Sequence, residues 1–98
     1  VLYCKTVKEY QTQYKKLFGF LDEAMKDGYI RQGRMSGMRG DETKPMTYIV
    51  WATTPTYLAH ELSHVVLDLF QLCGIDPRQA DGEPFCYLLS QLLLDCES

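Results

Sequence analysis

The chain has 98 residues, 46% of them hydrophobic and 23% charged, with a formal net charge of −3. That length holds one domain near the lower limit for burying a core without staples, and the acidic balance repels nucleic acid and anionic membrane surfaces. No run approaches the roughly 20 apolar residues of a membrane helix, so a single soluble domain over residues 1–98 is expected, with neither membrane nor nucleic acid as a partner.

Val1 to Lys5 is a short β-prone run without the charged-then-apolar layout of a signal peptide, which points to a cytoplasmic protein. The four cysteines, Cys4, Cys73, Cys86 and Cys96, are scattered without a CxxC pair and read as buried, reduced thiols. Thr6 followed by Glu9 has the form of a capping box opening a helix. Val7, Tyr10, Tyr14, Leu17 and Phe18 form the expected buried stripe of that helix, with Lys8, Lys15 and Lys16 outside and Gly19 interrupting it.

Phe20 to Met25 could add a helical turn before Asp27–Gly28, a strong turn signal. From Tyr29 to Pro45 the composition turns to Gly, Arg, Met and Ser, fitting either a small-residue strand with a loop or a mobile arm. Arg31, Arg34 and Arg39 form its basic cluster, read as a solvated loop, since arginines this sparse give few phosphate contacts.

Met46 to Ala52 is the clearest strand, rich in β-branched and aromatic residues between Pro45 and Pro55. It is either a packed sheet strand or an edge able to hold an extended peptide by backbone pairing. Only Thr53 and Thr54 separate it from the next helix, so strand and helix must lie side by side. Thr54 and Pro55 start that helix and Gly74 stops it.

Leu58, Leu62, Val65, Leu69 and Leu72 make the apolar stripe of this helix, while His60, Glu61, His64, Asp68 and Gln71 fall on the other side. His60 and His64 are the two histidines of the protein. Four residues apart, their imidazoles stack one turn apart and can reach a single ion, with Glu61 about 100° round the axis. This is the HExxH arrangement of two zinc ligands and a carboxylate able to work on a metal-activated water. A solvated polar face with two histidines is the plainer alternative. The flanking Ala59, Leu62, Ser63, Val65 and Val66 carry no charge, which favours the metal reading.

Beyond Gly74 a polar loop runs through Asp81–Gly82, and Glu83–Pro84 opens a last helix with Phe85, Leu88, Leu89, Leu92, Leu93 and Cys96 inside. Zinc held by two histidines lacks a third protein ligand. Glu83 is the foremost candidate, its alternative role being an acidic residue at a helix N-terminus. Asp76, Asp81 and Cys86 are weaker substitutes.

His60–Glu61–Leu62–Ser63–His64 followed by a glutamate opening a later helix resembles the gluzincin branch of the zincin metallopeptidases. Leu58–Ala59–His60–Glu61, Gly74–Ile75 and Glu83-x-Phe85-x-Tyr87–Leu88 are similar to small bacteriophage-encoded zincin-like proteins and, more distantly, to the ImmA/IrrE type of metallopeptidase. The similarity spans about Tyr48 to Leu93.

The resemblance implies His60, His64 and Glu83 as zinc ligands and Glu61 as general base. It also implies a protein or peptide substrate, in the host cytoplasm if the chain is phage-encoded. Tyr87 stands where thermolysin-like enzymes carry an aspartate that orients a ligand histidine, and Ser63 where many members have glycine. A phenol can bond an imidazole N–H or an oxyanion, so Tyr87 joins the candidates.

The expected fold is α+β, a minimal zincin-like domain with a small sheet on the HExxH helix and a further C-terminal helix. The expected function is a zinc-dependent metallopeptidase. A catalytically silent zincin-like protein, a phage factor engaging a host protein with its metal structural or absent, is the competitor. A DNA-associated factor using Arg31, Arg34 and Arg39 is a third reading.

Overall fold

The computed structural model describes residues 1–23, 32–40, 43 and 45–97. The architecture is α+β. In chain order it comprises β1 (Leu2–Cys4), α1 (Val7–Phe18), β2 (Gly33–Met38), β3 (Thr47–Ala52), α2 (Pro55–Cys73), a 3-10 turn at Gln79–Gly82 and α3 (Glu83–Glu97). Met25, the turn expected at Asp27–Gly28, and Arg31 lie outside the described residues.

The helix boundaries follow from local chemistry. The Thr6 hydroxyl accepts the Glu9 N–H at 3.1 Å while the Glu9 carboxylate takes the Lys5 N–H at 3.1 Å, so orphan donors at the start of α1 are satisfied from both sides. At α2 the Thr54 hydroxyl accepts the Tyr57 N–H at 3.2 Å and Pro55 fills the first turn. The helix ends at Gly74, whose φ of 69° is open to glycine at no steric cost.

The sheet has the order β1-β3-β2, with β1 parallel and β2 antiparallel to β3. Of the two roles open to the Met46–Ala52 stretch, the structure realises the packed one: β3 is central, and β2 forms the edge beside it. Alternation along β3 serves two cores. Tyr48, Val50 and Ala52 pack with Leu58, Leu62 and Val65 of α2, whereas Ile49 and Trp51 pack with Cys4 and Tyr10 on the α1 side. A strand covered on both faces reads as a continuous apolar run, which is how Tyr48–Ala52 looks in the sequence.

Several expected positions differ. In α1, Tyr10 is fully buried and Tyr14, Leu17 and Phe18 partly so, but Val7 is exposed. In α2, Leu72 is exposed while Val66 and Phe70 are buried, because the sheet and α3 together cover a wider arc than one stripe. No residue of α3 is fully buried: Leu89, Leu92, Leu93 and Cys96 touch the α2-side core, and Phe85 and Leu88 are half-buried. All four cysteines are free, with Cys4 buried and Cys96 half-buried, but Cys73 and Cys86 are exposed, against the expectation of buried thiols.

A buried polar network pins α1 to β2. The Tyr10 hydroxyl donates to Asp22 at 2.8 Å and lies 2.7 Å from the Ser36 hydroxyl, and Arg34 Nε donates to the same Asp22 oxygen at 3.0 Å. Gln11 holds the Asp22 backbone from both sides, at 2.9 and 3.1 Å. Burial, followed by the contact with Asp22, pushes the Tyr10 phenol well above its ordinary pKa, so it stays a donor. Burial works against the charge of Arg34, and the Asp22 carboxylate more than offsets it. Tyr10→Phe deprives a buried carboxylate of a donor and is expected to lower stability by about 1–3 kcal/mol, measured as a shift in the urea midpoint at unchanged slope.

Candidate functional site

His60, Glu61 and His64 lie on the first half of α2, directly after the short link from β3. The two histidines are exposed, their Nε2 atoms 3.2 Å apart and their rings 4.8 Å between centroids at 77°. The ring nitrogens thus converge on one point in solvent, an arrangement in which one ion can replace the mutual contact. Ser63 turns its hydroxyl to the Ala59 carbonyl at 2.8 Å and so stays off the histidine side.

Glu61 is half-buried and lies over β2. A Cβ added to Gly33 would meet Glu61 Cγ at 3.0 Å and the Trp51 carbonyl oxygen at 3.0 Å, so only glycine lets the carboxylate approach the strand this closely. Gly33, Arg34 and Met35 of β2 line, with Glu61 and His64, an open cavity of about 350 Å³. Among the described residues no strand pairs with the outer edge of β2. Its backbone donors and acceptors therefore border the site.

The remaining expected site residues stand elsewhere. Among the described residues, no group of three His, Cys, Asp or Glu side chains is placed to hold a metal ion, so Glu83 is not gathered with His60 and His64. The reason lies in the length of α2, which runs nine residues past His64 before Gly74 stops it. Antiparallel α3 starts at that far end, where Phe85 meets Phe70 edge-on at 6.1 Å between ring centroids. Phe70 is about 9 Å further along the helix axis than His64 at 1.5 Å per residue.

Glu83 is exposed as the first residue of α3. Tyr87 is 72% exposed and makes no hydrogen bond to either imidazole. Asp76 is bound to Arg78, with contacts of 2.9 to 3.2 Å that hold its carboxyl below the usual pKa. Asp81 and Cys86 are exposed and join no such group.

The arginines do not form one free cluster either. Arg34 is a strand residue tied to Asp22, and Arg39 is exposed beyond the end of β2. No described helix is long and apolar enough to cross a membrane. Compared with models of known protein families, with characterised proteins and with solved structures, the chain matches none.

Two features of the site were not anticipated from the sequence: Gly33 beneath Glu61, and the Tyr48 hydroxyl donating to Asp68 at 2.6 Å one turn beyond His64. Gly33, Met35 and Gly37 at alternate positions share the strand face turned to α2, and glycines at that spacing signal a close approach. Gly33→Ala is expected to move Glu61 off the strand and to cost about 1–3 kcal/mol, since the Trp51 carbonyl is backbone and cannot give way. Urea unfolding and the amide chemical shifts of residues 33 and 61 measure both effects.

Proposed function

We propose that this chain is a zinc-dependent hydrolase of peptide bonds, with His60 and His64 as metal donors, Glu61 as general base and the open edge of β2 as the rail for an extended substrate. The observation that carries this reading is the pair of Nε2 atoms 3.2 Å apart, exposed beside the cavity that Glu61 and β2 line. Two imidazoles one helical turn apart fit the donor chemistry of zinc. A metal bound there supplies Lewis acidity to water and to a carbonyl oxygen.

The rest follows from the chain's own groups. Glu61, confined against Gly33, has little freedom to swing away, so its carboxylate is held ready to take a proton from an attacking water and return it to the leaving amine. Free N–H and C=O groups along Gly33–Met35 pair with the substrate backbone and orient the scissile bond over Glu61. Two donors hold zinc less firmly than three. The separation of Glu83 and Tyr87 from the histidines is what favours a second reading, a zincin-like protein that binds another protein without cleaving it.

Two measurements divide these readings. Zinc per chain, after purification without chelator, is expected to fall to background in His60→Ala and in His64→Ala. Full occupancy in both variants removes the metal from the account. Glu61→Gln keeps size and fold and is expected to retain zinc while hydrolysis falls by about 100- to 10,000-fold. A Gln variant as active as the parent leaves only the binding reading.

A further inference from the structure

The space beside β2 does not end at Met35. As α2 runs along the strand, Asp68 comes level with its second half. There a second cavity of about 190 Å³ opens, lined among others by Met35, Gly37, Met38, Met46, Tyr48 and Asp68. Met35 lines both cavities, so they are neighbours along β2, the first bordered by Glu61 and His64 and the second by Asp68.

The chemistry of the second cavity is a carboxylate among thioether side chains. Asp68 is half-buried and receives the Tyr48 hydroxyl at 2.6 Å on one oxygen. Among the described residues it has no ion pair, although Arg39 stands at the same mouth. Burial and then the Asp68 contact push the Tyr48 phenol well above its ordinary pKa, so the phenol remains the donor in this hydrogen bond. Gly37 makes this geometry possible: a Cβ there would stand 2.8 Å from the Tyr48 ring. A carboxylate whose second oxygen is bonded by no described side chain and is open to the cavity favours a cation brought in by a ligand, which sits beside Arg39 at the mouth.

We propose that this second cavity is a recognition pocket for a basic side chain, lysine in the first instance, of a peptide extended along the open edge of β2. The inference rests on β2 being a peptide-binding edge, as in the function proposed above, and adds the class of sequence it takes. A lysine stem lies against the flexible methionines while its ammonium reaches Asp68. Gly37 is four strand positions from Gly33, about 13 Å at 3.3 Å per residue. The basic residue thus sits about four positions from the bond held over Glu61.

The test needs no turnover. Seven-residue alanine peptides, acetylated and amidated, with lysine or its uncharged isostere norleucine at the centre, are titrated into the protein while the amide resonances of Gly37 and Tyr48 are followed. The lysine peptide is expected to bind about tenfold tighter than the norleucine peptide. Asp68→Asn, which still accepts the Tyr48 hydrogen bond, is expected to erase the difference. Equal binding of the two peptides by the parent protein, no binding of either at millimolar concentration, or a preference that survives in Asp68→Asn overturns the proposal. A protein that prefers lysine but cuts nothing keeps this pocket and loses the hydrolase; one that cuts without the preference does the reverse.

Discussion

The structure depends on β3 being buried on both faces and running into α2 across only Thr53 and Thr54. The Thr53 N–H is held by the Gln32 carbonyl at 2.8 Å and Thr54 caps the helix, so the link has little freedom. Because Tyr48, Val50 and Ala52 must meet Leu58, Leu62 and Val65, the rotation of α2 about its own axis is fixed by the same contacts. The face left over is the one bearing His60, Glu61, His64 and Asp68. With β3 central, the antiparallel β2 is the strand that runs past this face, and its glycines allow it to run close.

The polar elements answer to that frame. On the α1 side, Asp22 collects Tyr10 and Arg34 and fixes β2 from behind. On the α2 side, the Tyr48–Asp68 hydrogen bond ties the central strand to the helix beyond His64. Both hydroxyls serve as donors to carboxylates, and in both cases burial is the leading reason the phenol holds its proton. The edge strand beside the histidines is thus held from the α1 side, and the central strand it pairs with is held from the α2 side.

Much of this was legible in the sequence, and the parts that were not share a cause. Thr6, Gly19, Thr54, Pro55 and Gly74 mark helix ends through local chemistry, and the structure uses each in that way. The apolar run of β3 and the period of Leu58, Leu62 and Val65 gave the core. Long-range partners were hidden, because nothing local to Asp22 announces Tyr10, and nothing local to Gly33 announces Glu61. Glu83 shows the same limit in reverse: nineteen residues from His64 allow a return to the histidines, but a helix extending to Cys73 and a turn with positive φ at Ala80 and Asp81 place it at the far end of the hairpin.

The central claim is that the Nε2 atoms of His60 and His64 form one metal site. Crystals grown with zinc, with diffraction recorded on both sides of the zinc absorption edge, test it most directly. The account predicts an anomalous peak about 2.0–2.1 Å from both Nε2 atoms, on the side of α2 that faces the edge of β2. Zinc found only at other positions, or none bound while the imidazoles keep their mutual contact, would contradict it.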